Sequence, residues 1–175
     1  MSNVLIGIIG VILFIGLALA GALFLGPRFQ EATLNSKAAA IAQSNAQIAN
    51  AAGLYRVQEG MDWASTNPVG LAPSYLKSVP PVTTSRQYTY GFRALDGNLA
   101  VSSTVLPGYS STGWPTDDAE GRSLCAAIAR QSGQTVNADG TPPDSTSPQG
   151  STGCVRIIGS GWGNIQGLYV AYTRI

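Results

Sequence analysis

Histidine is absent from this 175-residue chain. With it go the commonest general base, the commonest activator of a nucleophile and the commonest transition-metal ligand. Charge is scarce as well: Asp, Glu, Lys and Arg make up 11% of the residues, and the net charge is +1. No basic cluster stands ready to neutralise a run of phosphates, so direct nucleic-acid binding is not expected. Cysteine occurs only at Cys125 and Cys154, without a CxxC or any metal-ligand spacing. The one acidic cluster, Asp117, Asp118 and Glu120, sits between Pro115 and Gly121. There it reads as a turn and helix start, where carboxylates complement the helix dipole. A calcium site or a catalytic carboxylate pair is the competing reading. No catalytic residue, cofactor or metal is expected, and the chain does not read as an enzyme.

The longest gap is in charge. Met1 to Pro27 carries no charged side chain, and Val4 to Leu25 is almost unbroken apolar sequence broken up by Gly7, Gly10, Gly16 and Gly21. As a helix this run spans about 33 Å, enough to cross the hydrocarbon core of a bilayer. Ala18-Leu19-Ala20 would serve as a signal-peptide cleavage site, but no Lys or Arg precedes the apolar run, which continues to Leu25. A retained anchor is the expectation. Arg28 is the only charge near the span and is too little to set its orientation.

After Gly26-Pro27 the pattern becomes amphipathic. Leu34, Ala38, Ile41, Ile48, Ala52 and Tyr55 follow helical spacing with Asn45 as the polar exception, while Lys37, Gln43, Gln47 and Asn50 occupy the other side. A rod of about 55 residues is expected, roughly 80 Å long. Pro27 predicts a kink or local unwinding, and Gly16 and Gly21 add weak points that also suit close helix packing. Pro68, Gly70, Pro73, Pro80 and Pro81 then mark a connecting region. Gln87–Leu95 and Asn98–Val105 flank Asp96-Gly97, a hairpin signal, with Tyr88, Tyr90 and Phe92 forming one aromatic face. Ser123 to Gln131 reads as a short helix ending at Gly133; Val155–Ile158 and Leu168–Ile175 read as strands. The fold class is α+β: a long N-terminal helix with a protruding apolar half, its amphipathic half packed on an antiparallel sheet, and a disulfide-closed C-terminal region. Segment 1–27 is the apolar helix segment and 28–175 the globular domain, divided into 28–59, 60–86 and 87–175.

Gly133 to Gly153 is dominated by Gly, Ser, Thr, Pro, Asn and Asp. Such a stretch cannot bury enough surface to offset its ordering entropy, so a solvated loop is expected. Cys125 and Cys154 bracket it. A disulfide between them would stabilise the fold by about 3–4 kcal/mol in the chain-entropy view and implies an oxidising compartment. Two buried free thiols in a cytosolic protein are the alternative.

An apolar segment running into an Ala-rich amphipathic helix, then a loop, an antiparallel sheet and a C-terminal region closed by one disulfide, resembles a mature type IV pilin along the whole chain. Ser36-Lys37-Ala38 to Asn50, Gly53-Leu54-Tyr55, Ala72-Pro73-Ser74-Tyr75-Leu76 and the Cys125 to Cys154 region are similar to the type IVb branch, which includes bundle-forming and conjugative thin-pilus pilins. The resemblance implies a leader removed by a prepilin peptidase, with Met1 as the processed, methylated first residue. It implies an inner-membrane stage, a pilus assembly machinery, and then an extracellular homopolymer for adhesion or conjugative contact with a host or recipient surface. Leu5 stands where most family members carry a glutamate that neutralises a neighbour's N-terminal amine. The amine must here stay hydrated, deprotonated or otherwise bonded.

Physics points the same way. An apolar helix extruded from a membrane needs another apolar environment, and copies of itself supply one. A heterologous interface that does not close gives a fibre. Met1, Leu5, Gly16, Gly21, Gly26 and Pro27 are the candidate assembly and flexibility positions, and Tyr109, Trp114 and the Gly133–Gly153 loop are candidate outward contacts. The alternatives are a pseudopilin of a type II secretion machine, disfavoured because no acid follows Asp144, and a single-span anchored periplasmic binding domain, which would call for a flexible linker after the span.

Overall fold

The computed structural model of the protein describes residues 2–63, 67–81, 90–95, 98–105, 119–144, 149–158 and 168–175. Two helices, α1 (Ser2–Glu59) and α2 (Ala119–Gln131), accompany strands β1 (Tyr90–Leu95), β2 (Asn98–Val105), β3 (Thr152–Arg156) and β4 (Tyr169–Arg174), with a 3₁₀ turn at Pro68–Leu71. The chain is therefore α+β, and it divides into two compact units, Met1–Leu34 and Asn35–Ile175.

The first unit is helix alone. The sequence predicts a kink or unwinding at Gly26-Pro27, but α1 is helical without interruption through both. Proline removes a single N–H, and the turns on either side are rich in strong helix formers, Ala20, Ala22 and Leu23 before it and Gln30, Glu31 and Ala32 after it. One missing hydrogen bond does not open such a helix.

In the second unit an antiparallel sheet runs in the order β1-β2-β4-β3. Leu95 pairs with Asn98, so the hairpin forms where the sequence predicts it; its Asp96-Gly97 turn, and Gln87–Thr89, lie outside the described residues. Phe92 pairs with Val101, Val101 with Thr173, and Cys154 with Ala171, so these residues share one face of the sheet. Ile48, Ala49, Ala51 and Ala52 of α1 pack there with Leu71, Phe92 and Val101. Ala38, Ile41, Ile48 and Ala52 are buried, as helical spacing predicts. On the reverse face Ala100, Val155, Val170 and Tyr172 form a second cluster with Ile157.

Helix α2 starts four residues earlier than its apolar pattern suggests, which brings Glu120 into the first turn. It closes on Gly133, at φ +74. The Gly133 N–H donates to the Arg130 carbonyl at 3.1 Å and the Gln134 N–H to the Ala129 carbonyl at 2.8 Å, the paired bonds of a Schellman ending that only a left-handed residue permits. Strand β3 likewise starts early, at Thr152 rather than Val155, because Thr152 and Gly153 find partners in Thr173 and Tyr172.

Candidate functional site

The apolar half of α1 is uncovered. Ile12, Phe14, Leu17 and Leu23 are each more than 60% exposed, and the most apolar stretch of the helix has no buried residue. By length and composition this helix can cross a membrane. Among the described residues, twelve large apolar side chains between Ile6 and Phe29 stand exposed, and covering them is worth on the order of 20 kcal/mol before the costs of association. Soluble monomers rarely expose an apolar patch of that extent. Gly16, Gly21 and Gly26 would each tolerate a Cβ with nothing within 4 Å, so these glycines meet no packing demand inside the subunit. Met1 lies outside the described residues; Leu5 and Pro27 lie within α1.

The C-terminal region is closed as the sequence predicts. Cys125 of α2 and Cys154 of β3 form a disulfide with Cα atoms 5.3 Å apart, and both residues are fully buried. The bond ties α2 to the sheet face that α1 also covers. Two further contacts join the helices: the Lys37 ammonium lies 3.3 Å from the Glu120 carboxylate, and the Gln131 amide donates to the Asn35 carbonyl at 3.0 Å. Glu120 thus acts as a helix-start acid and an ion-pair partner. Asp117 and Asp118 lie outside the described residues, as do Tyr109 and Trp114. Among the described residues, no three His, Cys, Asp or Glu side chains gather closely enough to hold a metal ion.

The stretch between Gly133 and Gly153 corrects the expectation of a plain solvated loop. Gln134 and Pro142 are buried. The Gln134 side chain donates to the Tyr172 hydroxyl at 2.7 Å and to the Gln149 carbonyl at 3.0 Å, and accepts the Cys154 N–H at 2.8 Å. The Tyr172 hydroxyl donates to the Gln149 carbonyl at 2.7 Å. One side chain with four hydrogen-bonding positions supplies the order that apolar burial does not. Further out, the Asp139 carboxylate accepts from the Thr141 N–H and hydroxyl at 3.0 and 2.6 Å. These bonds hold its pKa below the ordinary value.

At the other end of the second unit, Tyr55 stands edge-on to Trp63 and Tyr75, with ring centroids 5.0 and 5.3 Å away. A Cβ on Gly70 would come within 2.9 Å of the Trp63 ring, so the close approach of the 3₁₀ turn requires glycine. The Tyr75 hydroxyl donates to the Glu59 carboxylate at 2.6 Å, and this bond raises the phenol pKa above its ordinary value.

The structure brings together Cys125 and Cys154 and leaves the apolar positions of α1 uncovered. Gln134, Tyr172 and the Lys37–Glu120 pair carry no motif in the sequence; a buried Tyr on an alternating strand with a nearby Gln is too common a pattern to single out. No family model matches the chain, and neither a curated protein nor a solved structure matches it.

Proposed function

We propose that this chain is a non-enzymatic structural subunit of a pilus, a major pilin similar to the type IVb branch. Its apolar α1 segment holds it in the inner membrane, and the same segment, packed among copies of itself, forms the core of an extracellular filament. The observation that carries this reading is the uncovered, uncharged apolar half of α1, which continues as unbroken helix into a disulfide-stapled α+β unit. A prepilin peptidase and a pilus assembly machinery are its expected partners, with a recipient or host cell surface as the target of adhesion or conjugative contact.

Shearing intact cells and imaging the released material by electron microscopy, with mass spectrometry of the N-terminal peptide, tests the proposal. Thin fibres made of this chain, starting at a processed Met1, are expected. Retention of the whole pool in the membrane fraction, with no fibres, would favour the anchored domain or the pseudopilin instead.

A further inference from the structure

The outer face of α1 in the second unit carries no charge over five turns. Between Lys37 and Arg56 no Asp, Glu, Lys or Arg occurs, although Ala39, Gln43 and Asn50 are exposed and Val57 is 83% exposed. A helix face turned to solvent ordinarily carries charges, and their depletion is the mark of an interface core. The residues of this face also follow a repeat. Ala39, Gln43, Ala46, Asn50, Gly53 and Val57 are separated by alternating steps of four and three, which places them on one side of the helix. In sequence the same steps run back through Phe29, Leu25, Ala22, Ala18, Ile15 and Val11, and none of the five charged residues of α1 falls on them.

Ala46, Asn50, Gly53 and Val57 also line a groove of about 600 Å³ between α1 and the end of β4. Thr173, on the strand side of that groove, pairs with Val101, which turns it toward α1. Thr173 is 8% exposed, and its hydroxyl has no hydrogen-bond partner among the described residues, so an unmet polar position adjoins the uncharged face. Resting on the filament reading above, we propose that this face of α1 packs in parallel on the same face of a second copy, displaced by one heptad, about 10.5 Å along the helix, so that Asn50 of one copy meets Gln43 of the next.

Copies that leave one membrane point the same way, and a displaced contact propagates from copy to copy where an in-register pair would close on itself. A displacement of one whole heptad keeps the repeat aligned: Ala46 then meets Ala39, and Gly53 meets Ala46. Side chains this small let two helix backbones approach closely, and a Cβ at Gly53 would meet nothing within 4 Å in its own subunit. Each amide both donates and accepts, so Asn50 and Gln43 bond to one another across the seam. Apolar contacts are non-directional, so helices covered by Ile, Leu and Val slide along one another at little cost. An amide pair among small and apolar positions fixes which residue sits opposite which, as polar positions do in coiled coils.

Full-length variants in the native host test this by sheared-fibre yield. Gln43→Glu combined with Asn50→Asp should lower the yield about tenfold or more, because like charges then face each other across the seam. Gln43→Lys combined with Asn50→Asp should restore it, since opposite charges meet only when the copies are displaced by one heptad. Both positions are exposed, so the melting temperature of the subunit should stay at the wild-type value. Contact is read without any charge change by a photoreactive phenylalanine at position 43. It should capture the tryptic peptide Ala38–Arg56 of another copy, with the cross-link near Asn50. Wild-type yield from the first combination, no recovery in the second, or capture of other peptides only, overturns the seam and leaves the filament reading intact. Absence of fibres from the wild type overturns both.

Discussion

The side-chain oxygen of Gln134 accepts the backbone N–H of Cys154 at 2.8 Å, so a residue three positions past the end of helix α2 is bonded directly to the strand that α2 reaches through its disulfide. Gly153 makes the approach possible, because a Cβ there would collide with the Gln134 amide. Replacing Gln134 by Ala leaves the buried Cys154 N–H unpaired and removes a donor to Tyr172. A loss of about 1–3 kcal/mol is expected, lowering the melting temperature by roughly 2–4 °C per kcal/mol in a chain of this size. Circular dichroism melts in detergent measure it; an unchanged melt would show that the bond contributes nothing.

Cys125 and Cys154 are buried beneath this network. Exposed reductant should therefore leave the disulfide intact until the second unit opens, and thiol trapping should be slow in buffer and fast in denaturant. Cys125→Ser should cost about 3–4 kcal/mol and deplete assembled material. Rapid native-state reduction, or normal yield and melting of the variant under oxidising conditions, would remove the disulfide from the account of stability.

Asp139 provides an acid-sensitive contribution. Its folded pKa is lowered by the two Thr141 bonds, so its stabilisation is complete above the unfolded value of 3.8 and is lost as pH falls through the folded value. Tyr75 has the opposite sign: its folded pKa is raised by Glu59, so its contribution holds below 10.0 and is lost as pH rises through the folded value. Asp139→Asn should flatten the acid limb of a melting-temperature profile and Tyr75→Phe the alkaline limb. Both groups are exposed, so both effects should be small.

Asn45 is 1% exposed, and neither its amide nitrogen nor its oxygen has a hydrogen-bond partner among the described residues. Its position on the otherwise apolar stripe of α1 makes Asn45→Leu a stabilising change, by about 1 kcal/mol or more. A higher melting temperature is the expected reading. A lower one would mean that the amide is satisfied in the folded protein.

Gly16 and Gly21 meet no neighbour within the subunit. Gly16→Leu and Gly21→Leu should leave subunit level and melting unchanged yet reduce fibres, because only a second helix would be crowded. Fibre yields equal to wild type would argue against close helix approach at these positions.

Much of this was legible in the residues themselves. The 3.6-residue spacing of Ala38, Ile41, Ile48 and Ala52 marked the buried face of α1, and Asp96-Gly97 between alternating runs marked the β1–β2 hairpin. The uncharged run to Pro27 marked the helix left uncovered. What escaped depends on contacts between residues far apart in sequence. Lys37 meets Glu120 across 83 positions, and Gln134 gains its importance only once Cys154, Tyr172 and Gln149 surround it. Composition averages over such side chains, which is why the Gly133–Gly153 stretch read as solvated.

The most direct measurement is the helical reconstruction by electron cryomicroscopy of fibres sheared from cells that produce this chain. Apolar α1 segments packed against one another along the fibre axis, with the disulfide-closed units outside, are the expected result. Fibres whose axis lacks these helices, or a chain found only as single copies in the membrane, would contradict the assignment of residues 1–27 to a filament core.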